Sequence, residues 1–166
     1  MQIDNPLRCI IGTVGLPGER TFYWQIKTKS HSLSVRLEKQ QAAVIAEQIE
    51  NLLDDNFDKA IDYGRKSSPT VDKDPLDLPI TEEFLLLGIG IFLNGANIEI
   101  SLNLDGAGLP STDGQKLQIV LSRNQAREFC ARTRVVVAAG RSICPFCSLS
   151  IESSGHLCVR ANGYRR

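Results

Sequence analysis

Four residues in the last quarter of the chain carry its clearest chemistry. Cys144-Pro-Phe-Cys147 is followed, after eight intervening residues, by His156-Leu-Cys158. Three thiols and one imidazole in so short a stretch predict a zinc site, because Zn²⁺ takes four tetrahedral Cys and His ligands from short loops. Proline between the first two cysteines suits a knuckle turn whose backbone amides point at the thiolates. Gly155, just before His156, allows the chain to return tightly.

Two other readings of these residues fit less well. Cys-x-x-Cys also marks thiol–disulfide sites, but here it does not open a helix after a strand, and a redox pair leaves His156 and Cys158 without a role. Zinc deaminases also use a Cys-x-x-Cys pair, together with an upstream His-x-Glu. Only His31 precedes the cysteines, and His31-Ser-Leu lacks the glutamate. Four protein ligands leave no position for the water that catalytic zinc requires. The expectation is a structural zinc.

No other motif has comparable content. Gly12-Thr-Val-Gly15-Leu-Pro-Gly18 lacks the Gly-Lys-Ser/Thr ending of a phosphate loop and reads as a hairpin turn. His31 lies in a polar turn and reads as a solvated side chain. Cys9 and Cys130 fall inside apolar patterns and read as small core residues, and Trp24 as a core or half-buried sheet residue. Arg127, Arg132 and Arg134 are spread around a helix and are expected to be solvated. No Ser or Cys has a His and Asp that the sequence connects to it.

The elements that must position the zinc site show a change of period, twice. Phe22, Trp24 and Ile26 alternate with polar residues, as do Leu33, Val35 and Leu37, which predicts strands. From Lys39 the spacing becomes helical, with Ala42, Ile45, Ala46, Ile49, Leu52 and Leu53 on one face. Leu117, Ile119 and Leu121 alternate again, and Ala126, Phe129, Cys130, Thr133, Val136 and Val137 share a second helical stripe. Ser122 and Gln125 form a capping-box pattern at its start, and Gly140 suits its end. The two segments superpose at an offset of 84 residues, from Leu33/Leu117 to Gln41/Gln125 and Ala42/Ala126.

Between the halves, residues 63–80 lack periodicity and are rich in proline, and read as a flexible connector or exposed loop. Phe84–Leu93, Asn94-Gly95 and Ile98–Leu104 give a strong hairpin signal. The first of these strands is apolar on both faces, as in a central strand covered on each side. The expected fold is α+β, with two pseudo-repeated strand-strand-strand-helix units at about 8–55 and 83–140. Together they form a mainly antiparallel sheet with helices on one face. Residues 1–140 would make this domain, and 141–166 a zinc knuckle with a basic tail.

Charge and composition narrow the partners. The 166-residue chain has a formal net charge of zero and 42% hydrophobic residues, ordinary for a globular protein. The charge is unevenly placed, at −6 over residues 1–110 and +6 over 111–166. A basic C-terminal portion beside a metal knuckle makes Arg160, Asn162, Tyr164, Arg165 and Arg166 candidate partner-binding residues. The N-terminus shows no signal sequence and the most apolar stretch is too short to span a bilayer. An odd cysteine count argues against a disulfide framework. A cytoplasmic protein with no membrane contact is expected.

Gly12-Thr-Val-Gly15-x-Pro-Gly18-x-Arg20-x-Phe22 and Cys144-Pro-x-Cys147…Gly155-His156-x-Cys158-x-Arg160-Ala-Asn-Gly-Tyr-Arg-Arg166 together resemble an actinobacterial family known only as a domain of unknown function. The resemblance covers nearly the whole chain and implies a metal site at the Pro-x-Cys and His-x-Cys positions. It also implies genes nearby for a histidine-phosphatase-like and a kinase-like protein, and so a shared pathway. Three functions follow as expectations. The first is a non-enzymatic adaptor in which structural zinc fixes the arginine tail for a protein partner. The second is nucleic-acid binding through the basic C-terminal quarter. The third is an enzyme or enzyme subunit with a site between the pseudo-repeats near Arg20, Glu38 or Arg123.

Overall fold

A computed structural model describes residues 1–16, 18–56, 69–80, 83–106, 115–140, 144–148, 151, 155–158 and 160. Their elements run β1 (Gln2–Asp4), β2 (Arg8–Val14), β3 (Thr21–Lys27), β4 (Ser32–Leu37), α1 (Lys39–Asp55), β5 (Glu83–Asn94), β6 (Asn97–Gly106), β7 (Gln115–Ser122) and α2 (Arg123–Ala138). The strands form one mixed sheet in the order β1-β7-β6-β5-β4-β3-β2. Within β2–β3–β4 and β5–β6–β7 all neighbours are antiparallel, whereas β4–β5 and β1–β7 are parallel.

The alternating apolar residues decide which face is inside. Ile11, Trp24 and Val35 lie opposite one another across β2–β4, and Ile98/Leu121, Ile100/Ile119 and Leu102/Leu117 do so across β6–β7. All are buried in one cluster together with Ala42, Ile45, Ala46, Ile49 and Leu53 of α1 and Ala126, Phe129 and Cys130 of α2. Both helices therefore cover the same face. Trp24 and Phe129 stack there with ring centroids 5.0 Å apart. Leu52, Val136 and Val137, assigned to the same stripes by their spacing, are only partly buried at the margin of the cluster.

Each helix starts where a strand ends. The Glu38 amide donates to Gln41 Oε1 at 2.8 Å, and the Ser122 amide to Gln125 Oε1 at 3.1 Å, satisfying donors that the first turn leaves free. Between β5 and β6 Gly95 and Ala96 turn the chain, one residue later than the Asn94-Gly95 dipeptide suggests, with Asn94 still paired to Asn97 and Gly95 at φ 58°.

The sheet curls. Its two outermost strands, β1 and β2, are separated by only Asn5, Pro6 and Leu7. Four Cα steps span at most about 15 Å, whereas six strand spacings laid flat would cover about 29 Å. The edges thus approach each other, and α2 lies in the gap between them. Gln125 Nε2 donates to Pro6 O at 3.0 Å, and Arg132 Nε to Ile11 O at 3.0 Å.

Two expectations change here. Residues 69–80 have no helix or strand, as the loop reading has it, but they are no free connector, lying as a strap across the outer face of β2 and β3. Leu76 is buried against Gly12, where an added Cβ would lie 2.6 Å from Leu76 Cγ. Asp77 exchanges hydrogen bonds with the Gln25 side chain at 2.8 and 3.1 Å, and accepts one from Lys27 at 2.6 Å. Residues 63–68, the rest of that connector, lie outside the described residues. The second change concerns β5. It is central, as its composition predicts, but Leu85, Leu87 and Phe92 on its outer side are exposed.

Candidate metal centre

Cys144, Cys147, His156 and Cys158 come together beyond α2. Their ligand atoms all lie within 4.8 Å of one another, and among the described residues they are the one cluster of this kind. A zinc ion at about 2.3 Å from sulfur and 2.0–2.1 Å from nitrogen places its ligands roughly 3.5–4 Å apart. Small side-chain movements close the cluster on such an ion, so the four residues could hold a metal.

The backbone explains how so short a segment converges. The Ser148 amide donates to Cys144 O at 2.9 Å and closes the first loop, with Ser148 at φ 59°. Gly155 sits at φ 101°, a region costly for any side chain, and reverses the chain before His156. Cys144 and Cys158 are buried, while Cys147 and His156 are half-buried with Cys147 Sγ and His156 Nε2 at 3.0 Å.

The electrostatics favour a ligand rather than an inert thiol. Hydrogen bonds from the Cys147 and Phe146 backbone amides, with further support from the Cys147 and Cys158 side chains, bring the Cys144 thiol down to about 6. The other two cysteines behave oppositely. Burial pushes both Cys9 and Cys130 up to about 12. Trp24 Nε1 donates to Cys9 Sγ at 3.1 Å, and Cys130 Sγ donates to Ala46 O at 3.5 Å. Cys130 is a core residue, as its sequence context predicts, and Cys9 is partly buried against the core.

A family model described as "Protein of unknown function (DUF3090)" matches residues 1–158. The chain belongs to the DUF3090 family. No curated protein matches it. Since the match spans both the sheet and all four cluster residues, the Cys₃His cluster lies within the DUF3090 unit.

The remaining candidates scatter. Arg160 Nη1 donates to Phe146 O at 3.2 Å and so packs against the knuckle, whereas Asn162, Tyr164, Arg165 and Arg166 lie outside the described residues. Arg20 donates to Ala139 O at the end of α2, and Arg123 donates to Asn56 O at the end of α1. Glu38 precedes α1. Arg20 and Glu38 stand at the same end of the helix pair, because the β3–β4 register sets Phe22 opposite Leu37, whereas Arg123 stands at the other end. His31 is exposed in its turn, with Nδ1 at 2.6 Å from Ser30 Oγ. Among the described residues no helix is long and apolar enough to cross a membrane.

Arg132 of α2 corrects the sequence reading, whereas Arg134 is exposed as expected and Arg127 is half-buried. Arg132 is 6% exposed, held by Ile11 O, Asp72 and Asp74 O. Arg134 pairs with Glu50, and Arg127 lies 3.8 Å from Asp54. Arg132 is placed inward because the strap brings acceptors to it. The aspartates at 72, 74 and 77 were the one available signal, since acidic residues in a proline-rich connector need a cation when that connector docks.

Proposed function

We propose that this DUF3090 chain is a non-enzymatic adaptor whose Cys₃His cluster binds zinc structurally and presents the Arg160–Arg166 tail to a protein partner. The observation that carries the reading is the convergence of four soft donor atoms within 4.8 Å. A complete tetrahedral set leaves no place for a reactive water, and Cys₃His is a familiar structural zinc set. Arg160 bonded to Phe146 O ties the start of the tail to the loop between the first two ligands. Phe146 and Leu157, each directly before a cysteine ligand, are exposed and give the knuckle an apolar contact surface.

Several of its cationic side chains are occupied within the protein, which weighs against nucleic-acid binding through α2. The distance of Arg123 from Arg20 and Glu38, at opposite ends of the helix pair, weighs against the enzyme reading. A cytoplasmic setting agrees with five cysteines that form no disulfide. The knuckle is best regarded as a unit appended after residue 140. A duplication of the β2–β3–β4–α1 and β5–β6–β7–α2 halves is supported by their matching order and by cap pairs at Glu38/Gln41 and Ser122/Gln125.

Elemental analysis of the purified chain should find one zinc per molecule, and none after Cys144→Ser with Cys147→Ser. Partner capture from the native extract should fall with metal loss. Capture undiminished by metal loss would defeat the adaptor reading, and a metal-free purified wild type would defeat the zinc assignment.

A further inference from the structure

Strand β4 lies beside β5 only at Glu83, Phe84 and Leu85. Beyond that level, among the described residues, nothing pairs with residues 86–94 of β5 on the side away from β6. The inner side chains show the gap. Ile98, Ile100 and Leu102 of β6 are fully buried, yet Leu93, Ile91 and Ile89, which lie opposite them, are only partly buried. A cavity of about 230 Å³ opens there between the edge of β5 and α1, lined by Val44, Ile45, Leu86, Gly88 and Ile89. Val44, on the helix side, is 48% exposed.

The main chain along this edge is free to bond. Asn94 and Asn97 flank a two-residue turn and so exchange hydrogen bonds, as Phe92 and Gly90 then do with their own partners on β6. The N–H and C=O groups of Ile89, Ile91 and Leu93 therefore point away from β6, into the gap. Natural sheets blunt such edges with charge or proline. From Phe84 to Asn94 this one carries neither. Unpaired main chain beside an apolar cavity is the equipment for strand addition.

The strand that fits this edge is the edge itself, reversed. Centred on Gly90, an antiparallel copy uses all of residues 86–94 and stops short of β4. The free groups of Ile89 then face those of the partner's Ile91. On the inner side the partner's Leu93 falls beside Leu86 and Gly88, where the cavity lies. On the outer side Phe92 falls opposite the partner's Gly88, and Gly90 opposite its own copy. Phe92 already leans over Gly90 of its own strand, where a Cβ would meet its ring at 2.9 Å, so the glycines leave room for both rings. A two-fold axis brings identical residues together, and an uncharged edge is spared the like-charge contacts this otherwise creates. We propose that residues 86–94 of β5 pair with the same residues of a second copy of this chain, joining the two sheets about a two-fold axis at Gly90.

Analytical ultracentrifugation of the full-length protein tests this directly. A contact one strand wide and roughly 30 Å long is small, so wild type should pass from monomer to dimer at about 10–500 µM chain. Ile91→Pro removes an N–H that points at the partner and none that bonds to β6, the one strand setting where proline is tolerated. It should raise the dissociation constant at least about ten-fold with Trp24 emission unchanged. Leu93→Lys, which takes the leucine out of the partner's cavity, should do the same. Amide exchange followed by NMR should find Ile89, Ile91 and Leu93 protected at about 1 mM but not at about 20 µM, and Gly90 and Phe92 protected at both. A wild type that stays monomeric to about 1 mM overturns the proposal, as does a dimer that both substitutions leave intact. Protection of the three amides that is independent of concentration also overturns it, because the edge is then covered within one chain.

Discussion

Arg132, inside α2, reaches past the edge of the sheet to hold Asp72 on the strap, with Nη1 at 2.8 Å from Oδ1. Its Nε simultaneously donates to Ile11 O at 3.0 Å, and Nη2 to Asp74 O at 2.7 Å. One guanidinium thus joins helix, edge strand and strap, a task suited to its rigid planar fork. Burial lowers its pKa, the nearby Asp72 opposes that shift, and it remains a cation. Arg132→Met should cost about 3 kcal/mol in denaturant unfolding, because buried acceptors lose their donors. Arg132→Lys should recover only a small part, since an ammonium cannot bond three acceptors so arranged. A loss below about 0.5 kcal/mol for Arg132→Met would show that the strap does not depend on it.

Asp72 is shared. Arg8 Nε donates to its Oδ2 at 2.6 Å and Arg8 Nη2 to its Oδ1 at 2.9 Å. The bond from Arg8 is the main reason the Asp72 carboxyl lies below the usual carboxylate range. Folded Asp72 therefore binds its proton more weakly than unfolded Asp72. Its contribution is complete above the unfolded value of about 3.9 and fades as pH falls through the lower folded value. Asp72→Asn should be about 2 kcal/mol less stable near neutral pH and should lose less stability than wild type on acidification below about pH 4. Chemical unfolding at a series of pH values measures both, and parallel curves for the two proteins would contradict this role.

Gly12 and Leu76 form the apolar contact of the same strap. Gly12 lies within β2 rather than in the turn that follows, and its missing side chain is the space Leu76 fills. Gly12→Ala should destabilise by about 1–3 kcal/mol through overpacking. Combining it with Leu76→Ala should cost less than the two single losses added together, because the new methyl then occupies vacated volume. A double-mutant cycle reads this coupling. Additive losses would mean that the two residues do not meet.

These contacts also mark what the sequence could and could not disclose. Periodicity found both helix stripes, and local turn chemistry found the β5–β6 hairpin to within one residue and the Ser122/Gln125 cap, because such signals depend on residues close in the chain. The cysteine spacing found the cluster for the same reason. The strap was missed because its partners lie far off in sequence, with Asp72 and Arg132 60 residues apart. Arg132 looked solvated because an arginine on a helix reveals nothing of the acceptors brought to it. The outer row of β5 was misread because a strand apolar on both faces has the same composition whether its second face meets a layer of this chain or water.

Zinc, on the reading proposed above, holds the knuckle without holding the body. Every cluster residue lies after α2, and the core cluster of sheet and helix residues includes none of the four. Trp24, the chain's single tryptophan, is fully buried against Phe129 and reports on that core. A chelator should therefore leave Trp24 emission and the thermal midpoint of the body nearly unchanged. Limited proteolysis should at the same time show new cleavage confined to the region after residue 140, since a segment of this length without its metal has little core of its own. The same pattern should follow Cys144→Ser without chelator. A large shift of Trp24 emission on metal removal would instead mean that the knuckle is part of the folding unit, and that the adaptor surface and the sheet cannot be separated.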